Sequence, residues 1–402
     1  MIKKYLLSAL IVWSVVAIIG LFLRYMQIWP VEVNFSYWLH AHSHAAFLGW
    51  IHAALVVLLT YALHPSVLQS AFLKRLFWFS QLMVAGMLIS FPMQGYKLFS
   101  ILFLSLFLLG TYVWAWIYLK KLDNGKVYPF TFSYGKTGIF FMILSSISPW
   151  ILGAIIHFLG KNSVWYKLDI FFYLHFQYNG WFFFAVIALL IYWVERSGII
   201  LPQQPVKKAK KLLTAGVLLG YVTNVLWIEP PLYYNFIALI SVILEAWGLW
   251  ILLEVYKDLP EEWKQNNIDV WMKWIGAGFG LKVIFQFMAS CPYLSMVAYI
   301  YRDFIIGYLH FVLLGVYSVF ILWISLHLKL LKIKKSYIIG FFSAWAGMVT
   351  FIFIKGFILW FGWPGHDIIH LIVFGFTFIM VLFILLITKD AFKKLHTGQY
   401  SS

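Results

Sequence analysis

Residues 5–25, YLLSALIVWSVVAIIGLFLRY, carry a single charge, Arg24, and decide the fold class of the chain. A helix needs about 20 apolar residues to cross the hydrocarbon core of a bilayer, and this stretch is long enough. The basic residues Lys3 and Lys4 precede it, as in a signal peptide. However, the run is long and lacks a small-residue cleavage site. The stretch therefore predicts a first membrane-spanning helix.

Further apolar runs follow along all 402 residues. The chain is 63% hydrophobic and 11% charged, whereas a soluble domain has about 25% charged residues. The runs lack the alternation of barrel strands, so the sequence predicts an all-α, polytopic membrane protein of about twelve transmembrane helices. We predict spans at 5–25, 36–63, 76–94, 97–119, 137–160, 167–194, 211–229, 231–256, 271–290, 302–328, 336–361 and 366–389.

The net charge of +16 lies in short loops between these runs. Lysine and arginine concentrate in every second loop, whereas the alternate loops hold little beyond Lys97, Lys161 and Lys167. This asymmetry predicts that both termini are cytoplasmic, in a membrane we take to be a bacterial inner membrane, and argues against nucleic-acid binding. The single cysteine, Cys291, excludes an internal disulfide and a cysteine-cluster metal site.

A short motif recurs along the chain. Three segments share a histidine followed five positions later by glycine: His44-Ala-Ala-Phe-Leu-Gly49, His175-Phe-Gln-Tyr-Asn-Gly180 and His310-Phe-Val-Leu-Leu-Gly315. They fall on predicted spans 2, 6 and 10, the second helix of each successive group of four. A fourth copy, beginning at His370, lies on span 12 and breaks the period. We therefore predict one transmembrane domain, 1–402, with three pseudo-repeated four-helix units at about 1–125, 126–260 and 261–402.

The repeat histidines are predicted to lie at a similar depth in the outer third of the membrane. Buried imidazoles are costly and are functional candidates by default. His44, His310, His175 and His370 are accordingly candidate cofactor ligands, and a b-type haem suits neutral imidazole in an apolar pocket. The glycine of each motif would let a macrocycle or a neighbouring helix approach closely.

Other polar residues also lie inside predicted spans. His366 and His370 are four positions apart, a spacing compatible with one metal ion. Glu245, Lys282 and Lys355 are candidates for a proton path. No catalytic residue is assigned.

The twelve-span count and the histidines on spans 2, 6 and 10 resemble the catalytic subunit of haem–copper oxidases and nitric oxide reductases. The resemblance implies that His44 and His310 are low-spin haem ligands and that His175 is a copper ligand. The sequence departs from the family because span 7 has no histidine pair and Tyr308 stands where a second histidine of span 10 would fall. A classical copper site is therefore in doubt. The chain resembles the NnrS family more loosely.

The leading expectation is a haem-binding membrane protein in electron transfer or in nitric oxide or oxygen chemistry. If it is an enzyme, it is an oxidoreductase, with a quinone or a cytochrome as electron donor. Two alternatives stay open: a proton- or metal-coupled secondary transporter, and a non-catalytic assembly or sensor protein that kept the fold.

Overall fold

The computed structural model describes residues 1–121 and 127–396, without the side chains of Lys121, His366 and His396. Across these residues the secondary structure is helical and contains no strand. Eleven helices are long and apolar enough to cross a membrane. The count becomes twelve when Val270–Ser290 and Pro292–Ile300, bent by 101° at Cys291, are taken as one span. The prediction of a polytopic helical membrane protein is confirmed.

The chain divides into two compact units, Met1–Lys121 with Asp303–Ser402 as unit 1 and Leu122–Arg302 as unit 2. The division into three four-helix units therefore stays a prediction. Unit 1 holds spans 1–4 and 10–12: Ile2–Tyr25, Phe35–Leu63, Ala71–Gln94, Leu98–Lys121, Asp303–His327, Lys335–Phe361 and His366–His396.

Unit 2 holds spans 5–9, and three of them are interrupted. Span 5 consists of two helices that meet at Ser146, and span 7 changes from α-helix to 3₁₀ turns after Gly220. Span 9 is the pair bent at Cys291. The spans are Pro129–Leu159, Val164–Glu195, Gln203–Ile228, Tyr233–Lys257 and Val270–Ile300, with a short helix Glu261–Asn267 before the last.

Spans 2, 6 and 10, which carry the histidine motif, are the most buried spans, with 83%, 89% and 61% of their most apolar windows inside the protein. Each changes from α-helix to a π-helix at the motif. The π-helical segments are Ala45–His52, His175–Phe182 and Phe311–Ser318. π-Helical turns are rare and occur often at functional sites. The sequence motif thus marks one recurring local structure.

The glycine of each motif is a site of close packing. A Cβ on Gly49 would lie 2.5 Å from Val12 and one on Gly180 2.5 Å from Phe141, while one on Gly315 would overlap the Trp345 ring. The structure therefore shows that these glycines allow a neighbouring helix to approach closely, which is one of the two roles expected for them. Gly375, in the fourth copy, has nothing within 4 Å of that position and lies in regular α-helix. The fourth copy does not share the structure of the other three.

Replacing Gly180 with alanine should destabilise the protein. The added methyl group has no room beside Phe141, and overpacking of this kind costs about 1–3 kcal/mol. Gly375→Ala is the matched control, because alanine favours a helix by about 1 kcal/mol where space is open. Thermal unfolding in detergent checks both variants. Equal unfolding temperatures for the two variants would contradict the packing role of Gly180.

Candidate functional site

A group of histidines lies at the beginning of span 2. The Asn34 side chain caps this helix by accepting hydrogen bonds from the Ser36 and Tyr37 amides. This cap fixes where the helix begins and so which way the following side chains point. His40 and His44 project to one face of the helix and His42 to another, as their spacing predicts.

His42 faces span 1. Its Nδ1 lies 3.0 Å from the Val16 carbonyl oxygen. Because a carbonyl can only accept, Nδ1 carries the proton and Nε2 keeps its lone pair. Within the described part of the chain, no side chain or backbone group hydrogen-bonds to that Nε2. Gly20 makes room for the ring, since a Cβ there would lie 2.9 Å from His42 Cε1.

His310 on span 10 has the same arrangement. Its Nδ1 donates to the Ile306 carbonyl at 2.7 Å, and its Nε2 has no hydrogen-bond partner among the described residues. Arg24 and His42 lie close enough to His310 to interact with it electrostatically. Trp50 on span 2 also donates a hydrogen bond to Ser318 on span 10 at 2.8 Å. The two spans are therefore packed together, with His42 and His310 in one neighbourhood.

Charged side chains accompany these two histidines. Lys355 Nζ lies 3.2 Å from Asp303 Oδ1, and Asp303 also interacts electrostatically with Arg24. The Asp303 carboxylate thus interacts with two cations, and one of them, Arg24, also interacts electrostatically with His42 and His310. Lys355, predicted as part of a proton path, is one member of this ion pair.

His44, predicted to pair with His310, lies in a different environment. Its Nδ1 donates to the His40 carbonyl at 2.9 Å, and the Tyr96 hydroxyl donates to its Nε2 at 3.1 Å. The Phe91 ring centroid lies 4.5 Å from that of His44. His42, on the other face of the helix, interacts electrostatically with His310.

His175 lies in unit 2 with both ring nitrogens engaged. Nε2 donates to the Val217 carbonyl at 2.8 Å, and the side-chain amides of Asn179 and Asn224 each approach Nδ1 to 3.2 Å. With Nε2 protonated, the one lone pair is on Nδ1 and already accepts hydrogen bonds. This arrangement does not favour the copper ligation that the family resemblance implies for His175.

His366 and His370 begin span 12. The side chain of His366 is outside the described residues, and His370 is half-buried. Among the described side chains, histidine, cysteine and carboxylate groups form no cluster of three or more that could hold a metal ion.

Glu245 and Lys282, both predicted proton-path residues, form a buried ion pair in unit 2. Lys282 Nζ lies 2.9 Å from Glu245 Oε2, and the two side chains are 1% and 0% exposed. Gln286 completes the cluster by accepting from Lys282 at 3.0 Å and donating to the other Glu245 oxygen at 3.3 Å. The Gln286 amide thus forms hydrogen bonds with both members of the ion pair, in addition to the bond that they make with each other.

Sequence reasoning did not select His42 and Arg24 as site residues. His42 lies outside the repeated motif, and Arg24 lies at the end of an apolar span. The sequence feature that could have indicated His42 as a candidate is its position on the helical face opposite His40 and His44. Which face meets span 10 depends on tertiary packing.

Replacing Glu245 with glutamine should destabilise the protein by about 3–5 kcal/mol, because Lys282 would remain as an unpaired buried charge. The double variant Glu245→Gln, Lys282→Met should recover most of that loss. Glu254→Gln is the matched control in the same unit, since its pair with Lys257 is about half-exposed and contributes at most about 1 kcal/mol. Thermal unfolding ranks the three; a double variant no more stable than the single one would contradict the ion-pair account.

Comparison of the sequence with protein-family models and with curated proteins found no match.

Proposed function

We propose that unit 1 binds a b-type haem between His42 and His310 and that the protein takes part in electron transfer. The observation that carries the proposal is the pair of neighbouring imidazoles whose Nδ1–H groups donate to backbone carbonyls and whose Nε2 atoms have no partner among the described residues. Metal-ligating histidines commonly have this second hydrogen bond, which orients the ring and raises its basicity.

The neighbouring charges also suit a haem. Haem carries two propionate groups, and Arg24, which interacts electrostatically with both histidines, provides a cation for them. A second cation, Lys355, pairs with Asp303, whose carboxylate also interacts with Arg24. A bound haem would supply one-electron chemistry at a potential set by its axial ligands and their surroundings. The chain's part is to hold both imidazoles neutral and oriented and to balance the propionate charge.

This assignment modifies the ligand set implied by the resemblance to haem–copper oxidases, in which His44 was the span 2 ligand. Membership of that superfamily remains part of the proposal, with nitric oxide or oxygen chemistry as the reaction class and a quinone or a cytochrome as the electron donor. The charge asymmetry of the loops supports an inner-membrane location with both termini in the cytoplasm. We do not include copper, because His175 already uses its lone pair within the protein.

Haem content tests the proposal directly. The full-length protein, expressed with a haem supply and purified, should show a Soret band and b-type haem in a pyridine haemochrome assay. His42→Ala and His310→Ala should each lose the low-spin spectrum, because each removes one axial ligand. His44→Ala is the matched control on the same helix and should retain it, since Tyr96 occupies its Nε2.

Each result decides a different point. Wild-type protein without haem would refute the function. Haem retained in the His42 variant but lost in the His44 variant would refute the ligand assignment while leaving haem binding in place.

Proton-coupled transport is the second candidate, favoured by the interrupted spans 7 and 9 of unit 2. Transporters commonly build their sites from discontinuous helices. Substrate-dependent proton movement in proteoliposomes of the haem-free protein would favour this candidate.

A further inference from the structure

The interior of unit 2 contains a polar cluster that the haem proposal does not use. Its centre is His175, which is 1% exposed and lies at the beginning of the π-helical segment of span 6. Asn179, from the next turn, and Asn224, from the 3₁₀ turn of span 7, both direct their amide nitrogens at His175 Nδ1. The change from α-helix to 3₁₀ turn after Gly220 precedes the turn that carries Asn224.

In this cluster the hydrogen-bond donors and acceptors do not pair one to one. A neutral imidazole has one lone pair on Nδ1, yet two amide N–H groups approach it at 3.2 Å each. The Oδ1 atom of Asn179, a side chain only 3% exposed, is buried and has no hydrogen-bond donor among the described residues. An unpaired buried acceptor of this kind costs about 1–3 kcal/mol.

A half-turn of the Asn179 amide exchanges its oxygen and nitrogen without moving the rest of the side chain. Because the Asn224 N–H also points at Nδ1, that amide would have to turn as well. Both Oδ1 atoms would then face His175 and could accept an N–H on Nδ1. That N–H exists only in the imidazolium form, because Nε2 already donates its proton to the Val217 carbonyl. The same heavy-atom framework can therefore accept the protonated ring once both amides have turned.

Charges around the ring bear on this protonation. The position that a Gly220 Cβ would take lies 2.9 Å from Ser241 Oγ, 3.2 Å from His175 Cε1 and 3.5 Å from Glu245 Oε1, so these groups converge there. The Glu245 carboxylate favours an imidazolium, and Lys282, bound to its other oxygen, opposes it. Among the described residues, the titratable groups facing His175 are Tyr221 from span 7, Glu245 from span 8 and Lys282 from span 9.

We propose that unit 2 contains a proton-binding site in its apolar interior, with His175 Nδ1 as the proton acceptor. The proton comes from hydronium in the solvent, which is left as water, and it forms an N–H bond with the Nδ1 lone pair; no electron transfer is involved. The Asn179 and Asn224 amides turn so that their oxygens face that N–H, and the Glu245–Lys282 pair keeps the surrounding charge balanced. The site does not depend on the haem proposed for unit 1.

Nitrogen-15 NMR of histidine-labelled, full-length protein in lipid nanodiscs tests this site, because imidazole nitrogen shifts distinguish neutral from protonated rings. The His175 signals are assigned by their loss in His175→Gln. In wild type, His175 should change from the Nε2–H tautomer to imidazolium as the pH falls. Asn179→Asp, which puts a carboxylate at the same position, should raise the proton affinity about tenfold or more. Asn179→Leu, which removes the acceptor, should lower it.

Opposite shifts in these two variants separate proton binding from a merely structural role, which would weaken folding in both. Asn224→Asp, at the second amide, is the substitute if Asn179→Asp does not fold, and the same increase is expected of it. A His175 ring that stays neutral throughout the pH range in which the protein is folded, in wild type and in the aspartate variant, overturns the proposal. So do shifts in the same direction for aspartate and leucine.

Discussion

The hydrogen bond between an imidazole N–H and a backbone carbonyl determines what each buried histidine can do. An apolar interior provides no water to satisfy a ring nitrogen, so the protein must supply the partner. His42, His44 and His310 donate from Nδ1, to Val16, His40 and Ile306 respectively. His175 donates from Nε2, to Val217. The position of the backbone carbonyl determines which ring nitrogen carries the proton. The other ring nitrogen keeps its lone pair and can bind a ligand or a proton.

The two units use this constraint differently. In unit 1 the remaining Nε2 atoms of His42 and His310 are not bonded by the described residues, and Arg24 interacts electrostatically with both rings. In unit 2 the remaining Nδ1 of His175 is surrounded by amide groups and a compensated carboxylate. The same residue type is thus suited to ligand binding in one unit and to proton exchange in the other.

Helix class and span positions could be predicted from the sequence because long apolar runs have few structural solutions in lipid. The bend of span 9 falls at Cys291-Pro292, where a proline begins a new helix. In the part of the chain that the structure describes, each π-helical segment coincides with a copy of the histidine motif, although the sequence did not predict π-helix there. The haem-ligand prediction named His44 because the motif includes it. Choosing between His42 and His44 required knowing which helices pack on each face of span 2.

The π-helical segments also set how these spans could tolerate insertions and deletions. A π-helical turn holds one more residue than an α-helical turn, so it accommodates an insertion inside a continuous helix. Deleting one residue from Ala45–His52 would restore α-helical winding and leave the outer and inner parts of span 2 nearly in phase. Deleting one residue from the α-helical part, Ala53–Leu63, would instead rotate the outer part by about 100° relative to the end of the span. In these three spans, the place at which a residue is lost or gained is therefore as much a determinant of the site as residue identity.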